Sequence, residues 1–268
     1  MINAVEVSQK LSYELEFSFC TLVTKPEEYQ KMLDSLEKSG FNSLNAEFLY
    51  INNAAANVFD GFSGLRHFLS LAKGKYIFLL HQDIVFFDNI DILRNRLNEL
   101  DKLDPNWAIA GNAGAREPKN YYIKVTDYKN NLFVKGDKLP AAVNSLDENL
   151  VIVKNEAQLT LSHDLNGFHF YATDLCQIAQ NLGYTCYVID FHVQHFGPGY
   201  LYNDFFESKS AFIKKYSKIR RAKFLQTTCI RLYVGAGLPG RYFWNSSVGM
   251  FLAKEFYRIY NFVKYGKR

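Results

Sequence analysis

Tryptophan, methionine, cysteine and proline are scarce in this 268-residue chain, at 2, 3, 4 and 6 copies. The four cysteines form no CxxC pair and there is no HExxH, so zinc-site readings lose their support. Cys20, Cys176 and Cys186 sit among apolar residues, as buried thiols of a reducing compartment do. Charge of one sign is not in excess either. A formal net charge of +4 argues against a nucleic-acid partner unless the basic residues are focused on one face. No eighteen successive residues are apolar, and the N-terminus has no basic start followed by an apolar core, so neither a membrane span nor a signal peptide is expected. These absences predict a cytoplasmic protein, with a peripheral position at the inner face of the plasma membrane left open by the basic residues below. Neither GxxxxGK[ST] nor GxSxG occurs, which removes the P-loop and α/β-hydrolase readings. There is no internal repeat or low-complexity tract.

What is present is apolar and aromatic. Hydrophobic residues make up 48% of the chain and aromatics 16%, enough for a sizeable core. "FSFCTLVT" from Phe17 reads as a buried strand, and "KPEE" stops it with Pro26 suited to a first helical turn. A helix follows, with Tyr29, Met32, Leu33 and Leu36 on one face and Gly40 at its end. "AEFLYI" (46–51) is a second strand running into "NNAAAN", "FSGLRHFLSLAKGK" a second helix closed by Gly74, and "KYIFLL" a third strand. This alternation predicts an α/β sheet with mostly parallel strands, in which ligands bind at the carboxyl ends. Further on, "DNIDILRNRLNELDKL" reads as a helix, "WAIAGNAGA" as one strand, "YYIKVTDYKNNLFVKG" as a hairpin and Leu150 to Lys154 as a strand. A helix from about Thr173 to Gly183 and a strand from Tyr184 to Ile189 complete the sheet.

Past about Tyr202 the composition turns basic and aromatic. Lys209, Lys214, Lys215, Lys218, Arg220, Arg221, Lys223 and Arg231 crowd one segment, and Lys254, Arg258, Lys264, Lys267 and Arg268 follow. "GAGLPG" (235–240) reads as a hinge between helical pieces. The chain is therefore expected to divide into a catalytic domain, 1–204, and a helical extension, 205–268. A solvated helix face, an anionic membrane surface and a dimer interface all fit that extension.

Three groups of residues carry potential chemistry. His81-Gln82-Asp83 interrupts an apolar run, and a carboxylate there must find water, a donor or a metal. Asp83 fits a helix cap or turn, and it also fits a Mg²⁺ or Mn²⁺ ligand, since hard cations take oxygen donors. His192 and His195 lie three apart on an extended segment and point in different directions; His195, before Gly197, Pro198 and Gly199, is the better candidate. Asp164, His169 and Asp174 precede or open a helix. Each is a candidate general base, while Asp174 also suits a helix's first turn for its dipole alone.

The order of "INN", "LAKGKYIFLLHQDI" and "GFHFYATDLCQIAQNLGYTCYVIDFHVQHFGPG" resembles a bacterial family 2-type glycosyltransferase of the GT-A fold, in the subgroup associated with capsule and surface polysaccharide. The resemblance covers roughly residues 17 to 200. It implies a Rossmann-like, mostly parallel sheet flanked by helices and an inverting transfer of a sugar from a nucleotide diphosphate, a UDP-sugar foremost, to a glycan or lipid-linked acceptor. The family's Asp-x-Asp metal motif falls on His81-Gln82-Asp83, so Asp83 matches its last acid and His81 replaces its first. His195 matches the histidine that completes the metal site in several such enzymes, implying Mn²⁺ or Mg²⁺ on Asp83 and His195. Asn52 stands where an acid usually contacts the nucleoside, and Thr21 and Thr24 match the region that walls the base. Asn53, Arg66, His81, Gln82 and Asp83 complete the expected donor site. The family's acidic pair falls on Tyr171 and Ala172, so the usual base is missing, and Asp164 or His169 stands in for it. A metal-independent transferase and a non-catalytic GT-A-like binding protein are the alternative readings.

Overall fold

The computed structural model describes residues 4, 11–117, 120–136, 138–197, 203–219, 222–226, 231–235 and 237–266. Pro198, Gly199, Arg220, Arg221, Cys229, Lys267 and Arg268 lie outside the described residues. The chain divides into two compact units, residues 1–209 and 210–268.

The first unit opens with the expected alternation: β1 (Leu15–Val23), α1 (Pro26–Lys38), β2 (Ala46–Asn52), α2 (Gly61–Leu71) and β3 (Gly74–Leu80). β4 (Ile84–Phe86), α3 (Ile90–Leu103), β5 (Trp107–Gly111), β6 (Ala113–Glu117), β7 (Asn120–Thr126), β8 (Leu132–Lys135), β9 (Ala141–Val143), β10 (Ser145–Leu146) and β11 (Leu150–Lys154) follow. α4 (Tyr171–Asn181), β12 (Thr185–Val188) and β13 (Val193–His195) complete it, and α5 (Asn203–Ile219) starts within it. A seven-stranded sheet runs β2-β1-β3-β11-β5-β12-β9. β1 is parallel to both β2 and β3, and β12 is parallel to β5, whereas β11 and β9 run against their neighbours. A second sheet runs β10-β6-β7-β13-β4, with β8 paired to β7 in the expected hairpin.

Both faces of the large sheet are covered, which is why its central strands are continuous apolar runs. Tyr76, Phe78 and Leu80 of β3 join the core with Met32 and Leu36 of α1 and Leu93, Leu97 and Leu100 of α3. Phe19 anchors it, its ring centroid 5.0 Å from Phe41 and 4.8 Å from Phe78. The alternate residues Ile77 and Leu79 are equally buried but face the other side. Leu22 of β1 lies there against α2. Cys20, Cys176 and Cys186 are buried free thiols, as expected.

Three expectations are corrected. Gly74 begins β3 rather than closing α2, which ends at Leu71 with Ala72 as its cap. A Cβ on Gly74 would come within 2.4 Å of the Phe17 carbonyl carbon, so glycine is required by the close approach of two strands. "WAIAGNAGA" is two strands: the chain leaves the large sheet at Gly111 and enters the second at Ala113, with Asn112 buried at the crossing. The extension is not all helical. Antiparallel strands β14 (Lys223–Gln226) and β15 (Arg231–Val234) precede α6 (Leu238–Asn245) and α7 (Ser247–Tyr265). "GAGLPG" thus joins a strand to a short helix; it has GxGxxG spacing, but among the described residues no βαβ unit surrounds it. Asn245 binds both backbone groups of Tyr233, donating to the carbonyl at 2.9 Å and accepting from the N–H at 2.7 Å. Among the described residues, no helix is long and apolar enough to cross a membrane.

Candidate metal and donor site

β3 ends at Leu80 in the large sheet and β4 begins at Ile84 in the second, so His81-Gln82-Asp83 bridges two sheets. Gln82 pins that bridge to the end of β1: its carbonyl oxygen accepts from the Thr24 and Lys25 N–H groups at 2.8 and 2.9 Å, and its amide donates to Thr24 Oγ1 at 2.9 Å. β13 pairs antiparallel with β4, placing His195 opposite Ile84, and the Phe196 N–H donates to the Asp83 carbonyl at 2.9 Å. Sheet pairing therefore delivers His195 to Asp83 across more than a hundred residues of sequence.

The result is a three-residue cluster. His195 Nε2 lies 3.4 Å from Asp83 Oδ1 and 3.3 Å from His81 Nδ1, with His81 Nδ1 4.0 Å from Asp83 Oδ1. One ligand atom from each residue falls within a mutual 4.8 Å. On its other side His81 Nε2 meets the Tyr171 hydroxyl at 3.0 Å, and that hydroxyl donates to the Glu148 carbonyl oxygen at 3.1 Å. Tyr171 is thus an acceptor towards His81, which assigns the proton to Nε2 and leaves the Nδ1 lone pair directed at Asp83 and His195.

The electrostatics agree. Burial, then the neighbouring His195, lowers the His81 pKa and keeps this imidazole neutral. Burial alone would raise the Asp83 carboxyl, but the hydrogen bond and charge of His195, with His81 behind, hold it below the usual carboxylate range. For His195, burial is outweighed by the hydrogen bond and charge of Asp83, and its pKa rises. Gly197 keeps the centre open: a Cβ there would lie 2.8 Å from His195 Nε2 and 2.9 Å from Asp83 Oδ2. Two imidazoles and one carboxylate, with a lone pair oriented inward and a side-chain-free cradle beside it, fit a cation such as Mn²⁺ that accepts N and O donors.

The other expected residues are dispersed. Thr21 is buried with its hydroxyl 4.0 Å from Met32 Sδ, while Thr24 is exposed and engaged by Gln82. Asn52 is exposed at the carboxyl end of β2 and accepts from the Ala54 N–H at 3.0 Å. Asn53 is buried and shapes the next loop, accepting from Val58 and Phe59 N–H and donating to the Phe59 carbonyl. Arg66 donates to the Ser162 carbonyl at 2.7 Å. Asp174 has no exposed surface, and its carboxylate accepts from the Ser162 N–H and hydroxyl at 2.8 and 2.7 Å, which leaves it no access to an incoming hydroxyl. Asp164 is exposed. His169 lies between Glu148 and Asp204, at 3.9 and 3.5 Å from their carboxylates. His192 is set apart, its Nε2 2.8 Å from the Thr126 hydroxyl.

From sequence Tyr171 marks only the place where the usual acid is missing, and Glu148 is given no role. Glu148 follows Asp147 just before the apolar run of β11, the same pattern of a carboxylate beside a buried strand that singled out Asp83. Because β11 is antiparallel to β3, with Leu150 opposite Leu80, its beginning stands at the ligand end of the sheet.

No family model matches the chain. It is 33% identical over 238 residues to a protein of Fuscovulum blasticum described as "ATP synthase subunits region ORF 6", across 86% of this chain and 95% of that protein. The chain belongs to that protein's family. The description names no activity. Among solved structures, the mannosyltransferase PcManGT from Pyrobaculum calidifontis, in complex with GDP-Man and Mn²⁺, is similar over 87% of this chain and 71% of that one, with a TM-score of 0.51 and 13% identity. S. aureus TarS is similar over 69% of this chain and 61% of that one, with a TM-score of 0.45 and 12% identity. The fold shared by this family member and the mannosyltransferase is the GT-A-type α/β fold.

Proposed function

We propose that this chain is a metal-dependent glycosyltransferase that moves a sugar from a nucleotide diphosphate to a hydroxyl of a glycan or lipid-linked acceptor, with inversion, in the synthesis of surface polysaccharide such as capsule. The observation that carries the reading is the His81–Asp83–His195 cluster, at the carboxyl end of β3 in a GT-A fold. The solved mannosyltransferase of this fold holds GDP-Man and Mn²⁺, which supports a nucleotide-sugar donor and a divalent ion here. Asp83, His195 and His81 would hold that ion, and when bound it supplies positive charge to the departing diphosphate. Tyr171 orients His81 for this task, a supporting contact of the kind that tunes metal sites. Asn52, exposed at the end of β2, offers an amide to the base or ribose.

The second unit supports a peripheral position on an anionic bilayer. Val248, Leu252, Phe256, Ile259 and Val263 recur at helical spacing on α7 and are 48% to 79% exposed. Lys254 falls on the opposite side of that helix, while Arg258, ion-paired with Glu255, lies beside the exposed Phe251 and Phe262. An exposed apolar stripe with lysine and arginine outside it is the composition of helices that lie in the membrane interface. A lipid-linked acceptor would be met there.

The test is a thermal-shift panel of UDP-, GDP-, CMP- and dTDP-sugars, each with Mn²⁺ and with EDTA, because a ligand that binds the folded state raises the melting temperature. A shift for one nucleotide sugar that requires Mn²⁺ is the expected result. A shift that survives EDTA favours the metal-independent transferase, and no shift with any donor favours a binding protein of this fold.

A further inference from the structure

Glu148 precedes β11 and reaches the start of α4, where the N–H groups of Phe170, Tyr171 and Ala172 face its carboxyl. One carboxyl oxygen, Oε2, lies 3.9 Å from His169 Nδ1. The other, Oε1, is buried and makes no hydrogen bond to any described residue. A buried acceptor oxygen without a close hydrogen bond is costly, and the α4 N–H groups that face the carboxyl offset only part of that cost, which leaves room for a further donor. The position is informative. The Glu148 backbone carbonyl binds the Tyr171 hydroxyl that supports His81, so its main chain is joined to the metal cluster by two hydrogen bonds through Tyr171. His81 and Asn149 are joined as well, the His81 N–H donating to the Asn149 carbonyl at 3.1 Å.

The competing acids are otherwise engaged or remote from burial. Asp174 is enclosed by Ser162, and Asp164 is exposed. Tyr171 and Ala172, where the expected acidic pair would fall, carry no carboxylate, yet Glu148 brings one to the same helix start from another strand.

We propose that Glu148, whose side chain is 19% exposed, is the catalytic base, its carboxylate accepting the proton of the acceptor hydroxyl. This rests on the glycosyltransferase reading above. In the step, the acceptor O–H bond breaks and its proton passes to Glu148. The acceptor oxygen forms a bond to the anomeric carbon of the donor, and the bond from that carbon to the diphosphate breaks with its electron pair going to the phosphate oxygen. Burial first, and then the adjacent Asp147, push the Glu148 carboxyl up to about 8, against the pull of the α4 N–H groups. That range suits a group that must both take and release a proton near neutrality. Asp147, His169 and Tyr171 are the titratable groups that face it, from its own loop, the loop before α4 and α4 itself.

The experiment compares the wild type with Glu148→Gln, Glu148→Asp and His169→Ala. It measures nucleoside diphosphate release from UDP- and GDP-sugars with Mn²⁺, using octyl glucoside and octyl mannoside as acceptors, across pH 5 to 9. Donor binding is followed separately by thermal shift. Glu148→Gln is expected to keep its donor-dependent thermal shift while turnover falls roughly 10²- to 10⁴-fold and loses its acid limb. Glu148→Asp retains part of the rate and the limb, which a merely structural role would not reproduce. Wild-type rate and pH profile in Glu148→Gln, or a loss confined to His169→Ala, overturns the assignment while leaving the glycosyltransferase reading in place. A wild type that turns over no donor overturns both.

Discussion

His81 Nε2 lies 3.0 Å from the Tyr171 hydroxyl, and because that hydroxyl already donates to the Glu148 carbonyl, the pair decides which nitrogen of His81 faces the cluster as a lone pair. Through His81, Tyr171 would therefore act on a bound metal ion without touching it. Tyr171→Phe keeps the ring, which packs edge-on against Phe62, and removes only the hydroxyl. We expect Mn²⁺ affinity to fall roughly 10- to 100-fold, as for other residues that orient a ligand histidine. Titration calorimetry with Mn²⁺ checks this, and circular dichroism should show an unchanged fold.

Gly197 gives the sharpest steric prediction. Its backbone is outside the left-handed region, so alanine is tolerated locally, yet the added methyl would lie within 3 Å of both His195 Nε2 and Asp83 Oδ2. Gly197→Ala should leave the melting temperature within a few degrees of the wild type and abolish its increase with Mn²⁺ and donor. A thermal-shift comparison of the two proteins reads both quantities.

Glu148 predicts a dependence of stability on pH. Its carboxyl rises from an ordinary 4.5 to about 8 in the folded protein, through burial and Asp147, with His169 also facing it. A group whose folded pKa is raised contributes stability that is complete below its unfolded pKa and is lost as pH rises through the folded one. Between pH 5 and 9 the wild type should lose several degrees of melting temperature relative to Glu148→Gln, which carries no such proton. Parallel melting curves across that range check the sign.

The apolar stripe of α7 predicts membrane binding. Phe256 and Ile259 are 64% and 59% exposed, so replacing both with glutamate costs little packing. The full chain should sediment with vesicles containing phosphatidylserine and lose most of that association in Phe256→Glu/Ile259→Glu and at high salt. Equal sedimentation of the two proteins would instead favour contact through another surface.

Much of the first unit was legible because local signals agree. The apolar runs of β1 and β2, Pro26 at the start of α1 and the alternation of 120–135 each point to the element found, and Leu150–Lys154 is a strand with the expected ends. The failures share a physical cause: they depend on what a residue meets far away in sequence. Gly74 is a strand residue because of Phe17, and Trp107 to Glu117 breaks in two because the second sheet captures its latter half. Asp83 and His195 were legible as strand-end residues. His81 became a third potential ligand only through Tyr171, and Glu148 became visible only through the antiparallel course of β11.

The central claim is that Asp83, with His81 and His195, holds a divalent ion at the donor's diphosphate. Electron paramagnetic resonance of Mn²⁺ measures it directly, since binding removes the signal of the free ion. The experiment titrates Mn²⁺ with wild type and with Asp83→Ala, each in the presence of UDP or GDP. The account predicts nucleotide-enhanced binding by the wild type that falls at least about 100-fold in Asp83→Ala, equivalent to about 2.7 kcal/mol. Equal binding of Mn²⁺ and nucleotide by the two proteins would contradict it.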